Sequence, residues 1–97
     1  MLQLGDRVDN YSSESTHLYF FVSEFCSKCH YNRTLLSTIL EAEKMTEINI
    51  VRGAKILEKV RPRMTPSIVV INPEGLVVFS HEGVLTDLEA SSLPRLF

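Results

Sequence analysis

A single α/β domain with a mixed four-stranded sheet and helices on both faces is predicted by three features of the 97-residue sequence. A continuous apolar run, Leu-Tyr-Phe-Phe-Val at 18–22, leads directly into residues with helical spacing. Two β-rich runs, 67–71 and 76–80, flank the turn sequence Asn72-Pro73-Glu74-Gly75. Between these ends a second strand and a second amphipathic segment alternate, so the order reads strand, helix, strand, helix, strand, strand, helix.

Each element has a local cause. Residues 1–16 are polar and irregular, with Ser12, Ser13 and Ser15 close together, and are expected to form a loosely ordered lead-in to a domain spanning 17–97. The run at 18–22 has no polar alternation, which suits a central strand buried on both faces. From 27 to about 44, Leu35, Leu36, Ile39 and Leu40 recur at helical spacing. A second strand is expected at 47–51, before Gly53. Ile56, Leu57 and Val60 then mark a short amphipathic helix that ends at Arg61, because Pro62 restricts the residue before it. After Gly83, Thr86 or Asp87 is placed to cap a last helix, with Pro94 expected to stop it. Helical crossovers are expected to join parallel strands, and the Asn-Pro-Glu-Gly turn to join an antiparallel pair.

Composition excludes several function classes. A hydrophobic fraction of 44% with 23% charged residues is that of a globular chain with a core of its own. The formal charge of -2 supplies no field for nucleic acid or an anionic membrane, so neither is expected as a partner. No apolar stretch approaches the roughly 20 residues of a membrane-spanning helix. The first residues are polar and partly acidic, unlike a secretory leader, and a cytoplasmic location is the expectation.

The chemistry concentrates on Cys26 and Cys29. Two cysteines three positions apart do not make a disulfide framework for a secreted domain. Where a strand runs into a helix, the first sulfur of such a pair sits at the helix N-terminus, where unpaired N–H groups and the dipole favour negative charge. Cys26 is therefore expected to be a thiolate at lower pH than a free cysteine. Cys29, one turn further in, can close a ring with it and displace a substrate from a mixed disulfide. Lys28 lies between them as a cation that can modulate the thiolate. Arg52, Lys55, Lys59, Arg61 and Arg63 read as a largely solvated basic face, with Arg61 and Arg63 able to steer acidic partners if they lie near the cysteines. Met45 and Met64 read as packing residues.

The segment Val22-Ser23-Glu24-Phe25-Cys26-Ser27-Lys28-Cys29 resembles the active-site segment of the thioredoxin superfamily, with Phe25 where many members carry Trp. Met64-Thr65-Pro66-Ser67 is similar to the cis-proline loop of that family, and the hairpin, Gly83 and final helix resemble its ending. The resemblance covers about residues 18–93. It implies a thioredoxin-like fold and a thiol-disulfide oxidoreductase acting as a reductase of protein or small-molecule disulfides. It also implies Thr65 as the position that pairs with an extended substrate, a cis Pro66 packed against the cysteines, and Phe25 beside the substrate. The electron donor would be a reductase or a low-molecular-weight thiol, with no bound cofactor and no metal.

The chain departs from the family at two places. Phe20 stands where thioredoxins carry a buried carboxylate, so Cys29 lacks that proton acceptor. Ser27-Lys28 replaces the usual Gly-Pro between the cysteines. A paired-glycine element for glutathione is absent before the last helix, where only Gly83 is found. Cys26-Ser27-Lys28-Cys29-His30 also fits the c-type haem attachment pattern, but strands around the site do not suit a small helical haem wrapper. Zinc held by the cysteines with His30, His17 or His81 would normally need a second close ligand pair. The alternative function is a thioredoxin-like interaction module that retains its cysteines without turnover.

Overall fold

The computed structural model describes all 97 residues. Strand β1 (His17–Val22) is followed by helix α1 (Ser27–Ile39), strand β2 (Met45–Asn49), helix α2 (Lys55–Val60), strands β3 (Ser67–Ile71) and β4 (Val77–Glu82), and helix α3 (Asp87–Ala90). The sheet order is β2-β1-β3-β4, with β1 parallel to β2 and β3 antiparallel to both β1 and β4. The mixed four-stranded sheet expected from the sequence is therefore present.

The direction of β3 corrects one expectation. Only the first helical crossover joins parallel strands; the second, through α2, returns the chain antiparallel to β1. A six-residue helix is only about 9 Å long, too short to carry the chain back along a strand of about 20 Å. The chain therefore leaves β2 and enters β3 at the same end of the sheet. That end is also where β1 runs into Cys26.

Alternating burial divides the core between the two faces of the sheet. Leu18, Phe20, Val22, Ile68 and Val70 pack with Cys29, Leu36 and Leu40 of α1 and with Leu85, Ala90 and Leu93 near the C-terminus. Phe21, Ile48, Val69, Ile71 and Val77 pack on the other side with Val60 of α2 and with Val8. Because β1 and β3 are central, both of their faces are covered, which is why their sequences lack polar alternation.

Element ends differ from the sequence reading where the fold demands it. Helix α1 stops at Ile39, and a 3-10 turn at Ala42–Lys44 follows. Its 13 residues span about 20 Å, matching six-residue β1, so a longer helix would overshoot the start of β2. Strand β2 ends at Asn49, whose side-chain oxygen accepts from the N–H groups of Val51 and Arg52 and turns the chain away. Strand β4 starts at Val77 and runs on to Glu82. Thr86 caps α3 in a reciprocal arrangement with Glu89, and the helix ends at Ala90. Pro94 does not stop α3; it opens a separate 3-10 turn, Leu93–Leu96, in the first-turn position where its missing N–H costs nothing.

Residues 1–16, expected to lead in loosely, form no helix or extended strand, yet residues 2–8 are tied to the domain. Leu2 N–H donates to Val60 C=O at 3.1 Å, Gly5 N–H to Val77 C=O at 2.9 Å and Val8 N–H to Gly75 C=O at 2.8 Å. This segment covers the start of the outer edge of β4, which would otherwise present unpaired backbone groups. Gly75, at φ +85, is required there twice over, since a Cβ would lie 2.8 Å from the Val8 carbonyl oxygen.

One buried polar residue fastens α1 to the C-terminal segment. Asn32 is fully buried, and its amide donates to Leu85 C=O and accepts from Leu85 N–H, both at 2.8 Å. Asn32→Ala strands both backbone groups. The expected loss is about 2–4 kcal/mol of unfolding free energy, to be read from urea denaturation.

Candidate functional site

Cys26 sits between the end of β1 and the first residue of α1, and the site is built on that junction. It is the N-cap of α1: its backbone is extended, and its Sγ accepts from the Cys29 N–H at 3.1 Å. A sulfur takes the place usually held by a Ser, Thr or Asp oxygen. The 13-residue helix points the positive end of its dipole at that sulfur, and no acidic residue in its first turn offsets the field. Phe25, just before, has φ +56 and is fully exposed, so the chain turns sharply to place Cys26 over the helix axis while Phe25 projects into solvent.

Cys29 lies one helical turn further in and is 1% exposed, packed with Phe20, Val22 and Leu36 in the α1-side core. The two cysteines are joined as a disulfide, with Cα atoms 5.2 Å apart. Cys26 is only partly buried, so the outer sulfur is the one a partner can reach. Phe20 is fully buried in the same apolar cluster as Cys29. No buried carboxylate stands beside the inner sulfur.

The loop before β3 closes the other side. The Thr65–Pro66 peptide bond is cis, Pro66 is buried and Thr65 is partly exposed. Pro66 C=O accepts from Gly83 N–H at 2.8 Å, and Ser67 Oγ donates to Met64 C=O at 2.6 Å, so the loop is pinned on both sides of the proline. Ser23, directly after β1, shares a 2.6 Å hydrogen bond between its hydroxyl and that of Thr65. The structure thus brings Phe25, Cys26, Cys29, Thr65 and Pro66 to one end of the sheet. Lys28 is exposed in the first turn of α1. Met64, read from the sequence as a packing residue, is half exposed beside Thr65.

Other candidates separate from the site. Arg63 does lie next to the proline loop, but Glu82 holds its guanidinium through contacts of 2.9 and 3.3 Å. That pairing keeps the Glu82 carboxyl below its ordinary pKa and leaves little field for steering. Arg61 adopts a left-handed conformation at the end of α2 and donates to Glu58 C=O. His17 is at the opposite end of β1, where it bonds Thr46 at 2.6 Å and burial holds its imidazole below its usual pKa. His81 bonds Val84 C=O and faces Glu89, while His30 is exposed. No three His, Cys, Asp or Glu side chains come together as a metal-binding group.

The largest cleft, about 650 Å³, lies beside the disulfide and not over it, at the carboxyl ends of β1 and β2. Its charges pair with one another: Arg33 grips Glu47 at 2.7 and 3.0 Å, and Arg52 is 3.9 Å from Glu24. This pairing leaves no strong unpartnered charge for a ligand.

Sequence reasoning missed Ser23 and Asn32. Asn32 was visible in principle, since it falls with Cys29, Leu36 and Leu40 on one helical stripe that is otherwise apolar. Ser23 had no such signal, because its partner is 42 residues away.

Among solved structures, thioredoxin-2 of the malaria parasite superposes with a TM-score of 0.69 at 13% identity, covering 99% of this chain and 95% of that one. The fold is that of thioredoxin. Mitochondrial thioredoxin 3 of Saccharomyces cerevisiae, in its oxidised form, gives 0.66 at 13% identity over 87% of this chain and 77% of its own. The oxidised thioredoxin of Plasmodium falciparum gives 0.65 at 18% identity over 84% and 79%. Neither a family model nor a curated protein matches the sequence. At these identities the likeness is one of thioredoxin-like architecture, here with a Cys-x-x-Cys disulfide at the start of α1.

Proposed function

We propose that the chain is a thiol-disulfide oxidoreductase that works as a reductase of protein disulfides. The observation that carries this is the accessible Cys26 sulfur held at the N-terminus of α1, with Cys29 one turn away and able to bond it. In the reduced protein, the Cys26 thiolate attacks a substrate disulfide; a Cys26–substrate disulfide forms and one substrate thiolate leaves. Cys29 gives its proton to the first substrate thiolate or to solvent and attacks the Cys26 sulfur, releasing the second substrate thiolate and restoring the intramolecular disulfide. Two electrons have then passed to the substrate. A reductase or a low-molecular-weight thiol returns them, and no bound cofactor takes part. Phe25, Thr65 and Pro66 form the surface that receives the partner chain, and Lys28 modulates the thiolate. A reducing cytoplasm suits this direction of flow.

Disulfide reduction of insulin with dithiothreitol as donor tests the proposal. The wild-type chain is expected to accelerate the reaction well above dithiothreitol alone, and Cys26→Ser to fall to that background. A Cys26→Ser variant as active as wild type would overturn it. The lack of a buried carboxylate beside Cys29 favours a second reading as an interaction module without turnover. In that case the wild-type chain itself would not exceed dithiothreitol alone.

A further inference from the structure

The β1–β3 ladder ends at the pair Phe21–Ser67, and Pro66 beyond it turns its C=O to the Gly83 N–H on the β4 side. Continued in the same antiparallel register, the next residue pairs are Val22 with Pro66 and Ser23 with Thr65. No backbone hydrogen bond joins Ser23 to Thr65, but their hydroxyls meet at 2.6 Å. The cross-strand pairing is thus carried one step past the proline by side chains alone. Thr65 engages its Oγ1 in this contact. Its own backbone N–H and C=O have no partner within the chain.

We infer that Ser23 is a positioning residue, acting through Thr65 to hold that free backbone edge in the register needed to pair with an extended partner segment. The inference rests on the proposed function, in which Thr65 receives the partner chain. Without the clasp, Thr65 keeps its peptide groups but loses the contact that ties them to the cysteine-bearing end of β1. The clasp therefore acts on the binding of a chain with backbone to pair, more than on the exchange at sulfur. A small disulfide with no extended segment depends on it less.

Steady-state reduction of insulin by Ser23→Ala, Ser23→Thr, Thr65→Val and the Ser23→Ala/Thr65→Val pair tests the role. Ser23→Ala is expected to raise KM about three- to tenfold, the range of one lost hydrogen bond, with kcat changed less than about twofold. Ser23→Thr, which keeps a hydroxyl, is expected to restore KM. The double variant should match Thr65→Val alone, because the second change removes a contact already lost. With hydroxyethyl disulfide as substrate, the loss in Ser23→Ala should be smaller than with insulin. An unchanged KM in Ser23→Ala, multiplying effects in the double variant, or equal losses on both substrates would overturn the role while leaving the oxidoreductase reading intact. A wild-type chain inactive on both substrates would overturn that reading and this role together.

Discussion

Cys29→Ser is expected to convert the protein into a trap: mixed with a disulfide-bonded protein substrate at neutral pH, the reduced variant accumulates as a covalent adduct through Cys26. The attack at Cys26 needs only the sulfur at the helix N-terminus, which Cys29→Ser leaves in place. The second step is lost, since serine cannot displace the substrate from the Cys26 sulfur. In the wild-type chain that step is intramolecular, between residues whose Cα atoms are 5.2 Å apart, within the range a disulfide spans. The adduct is therefore short-lived in the wild type and persistent in the variant. Non-reducing electrophoresis should show a band of summed mass that dithiothreitol removes, with mass spectrometry placing the linkage at Cys26. Cys26→Ser should give no comparable band, because Cys29 is 1% exposed. Equal adduct yield from the two variants would contradict the assignment of attacking and resolving roles.

Phe20→Ala is expected to cost about 3–5 kcal/mol of stability, the largest effect of any single truncation near the site. The ring is fully buried in the central strand, against Cys29 and the α1-side core, and its removal leaves a cavity between sheet and helix. For a domain with roughly 5–15 kcal/mol to lose, that is a large share. Urea denaturation should show a lower midpoint with an unchanged slope, the sign of lost stability rather than a changed unfolded state. Phe25→Ala is the control, because Phe25 is exposed to solvent and touches no core. Its stability should stay within about 0.5 kcal/mol of wild type. A Phe20→Ala loss below about 1 kcal/mol would mean that the ring is not the packing element the structure shows.

The contrast between these two phenylalanines marks the limit of what a linear reading conveys. Both flank the same cysteine pair, six residues and one residue before Cys26, and neither carries a polar group. Phe20 was recognisable as a strand residue from its apolar neighbours, and its burial follows from the strand being central. Phe25 could be placed only by resemblance, since a positive φ on a non-glycine residue has no reliable local signal.

The sequence by itself determined the pieces whose causes are local. The apolar runs specify β1 and β3, the helical stripe after Cys26 specifies α1, Thr86 specifies the cap of α3, and Asn72 to Gly75 specify the hairpin. The cysteine spacing at a strand-to-helix junction specifies a sulfur at the N-terminus of a helix. Tertiary structure alone decided that β3 runs antiparallel to β1, which brings Thr65 and Pro66 to the cysteine end of the sheet. It also decided that Glu82 neutralises Arg63, that residues 2–8 line the edge of β4 and that Ser23 meets Thr65. Periodicity, capping and turn chemistry act over a few residues and leave their trace in any short window. Strand direction and hydroxyl pairing depend on which distant segments share a buried face, and that is settled only when the whole chain excludes water together.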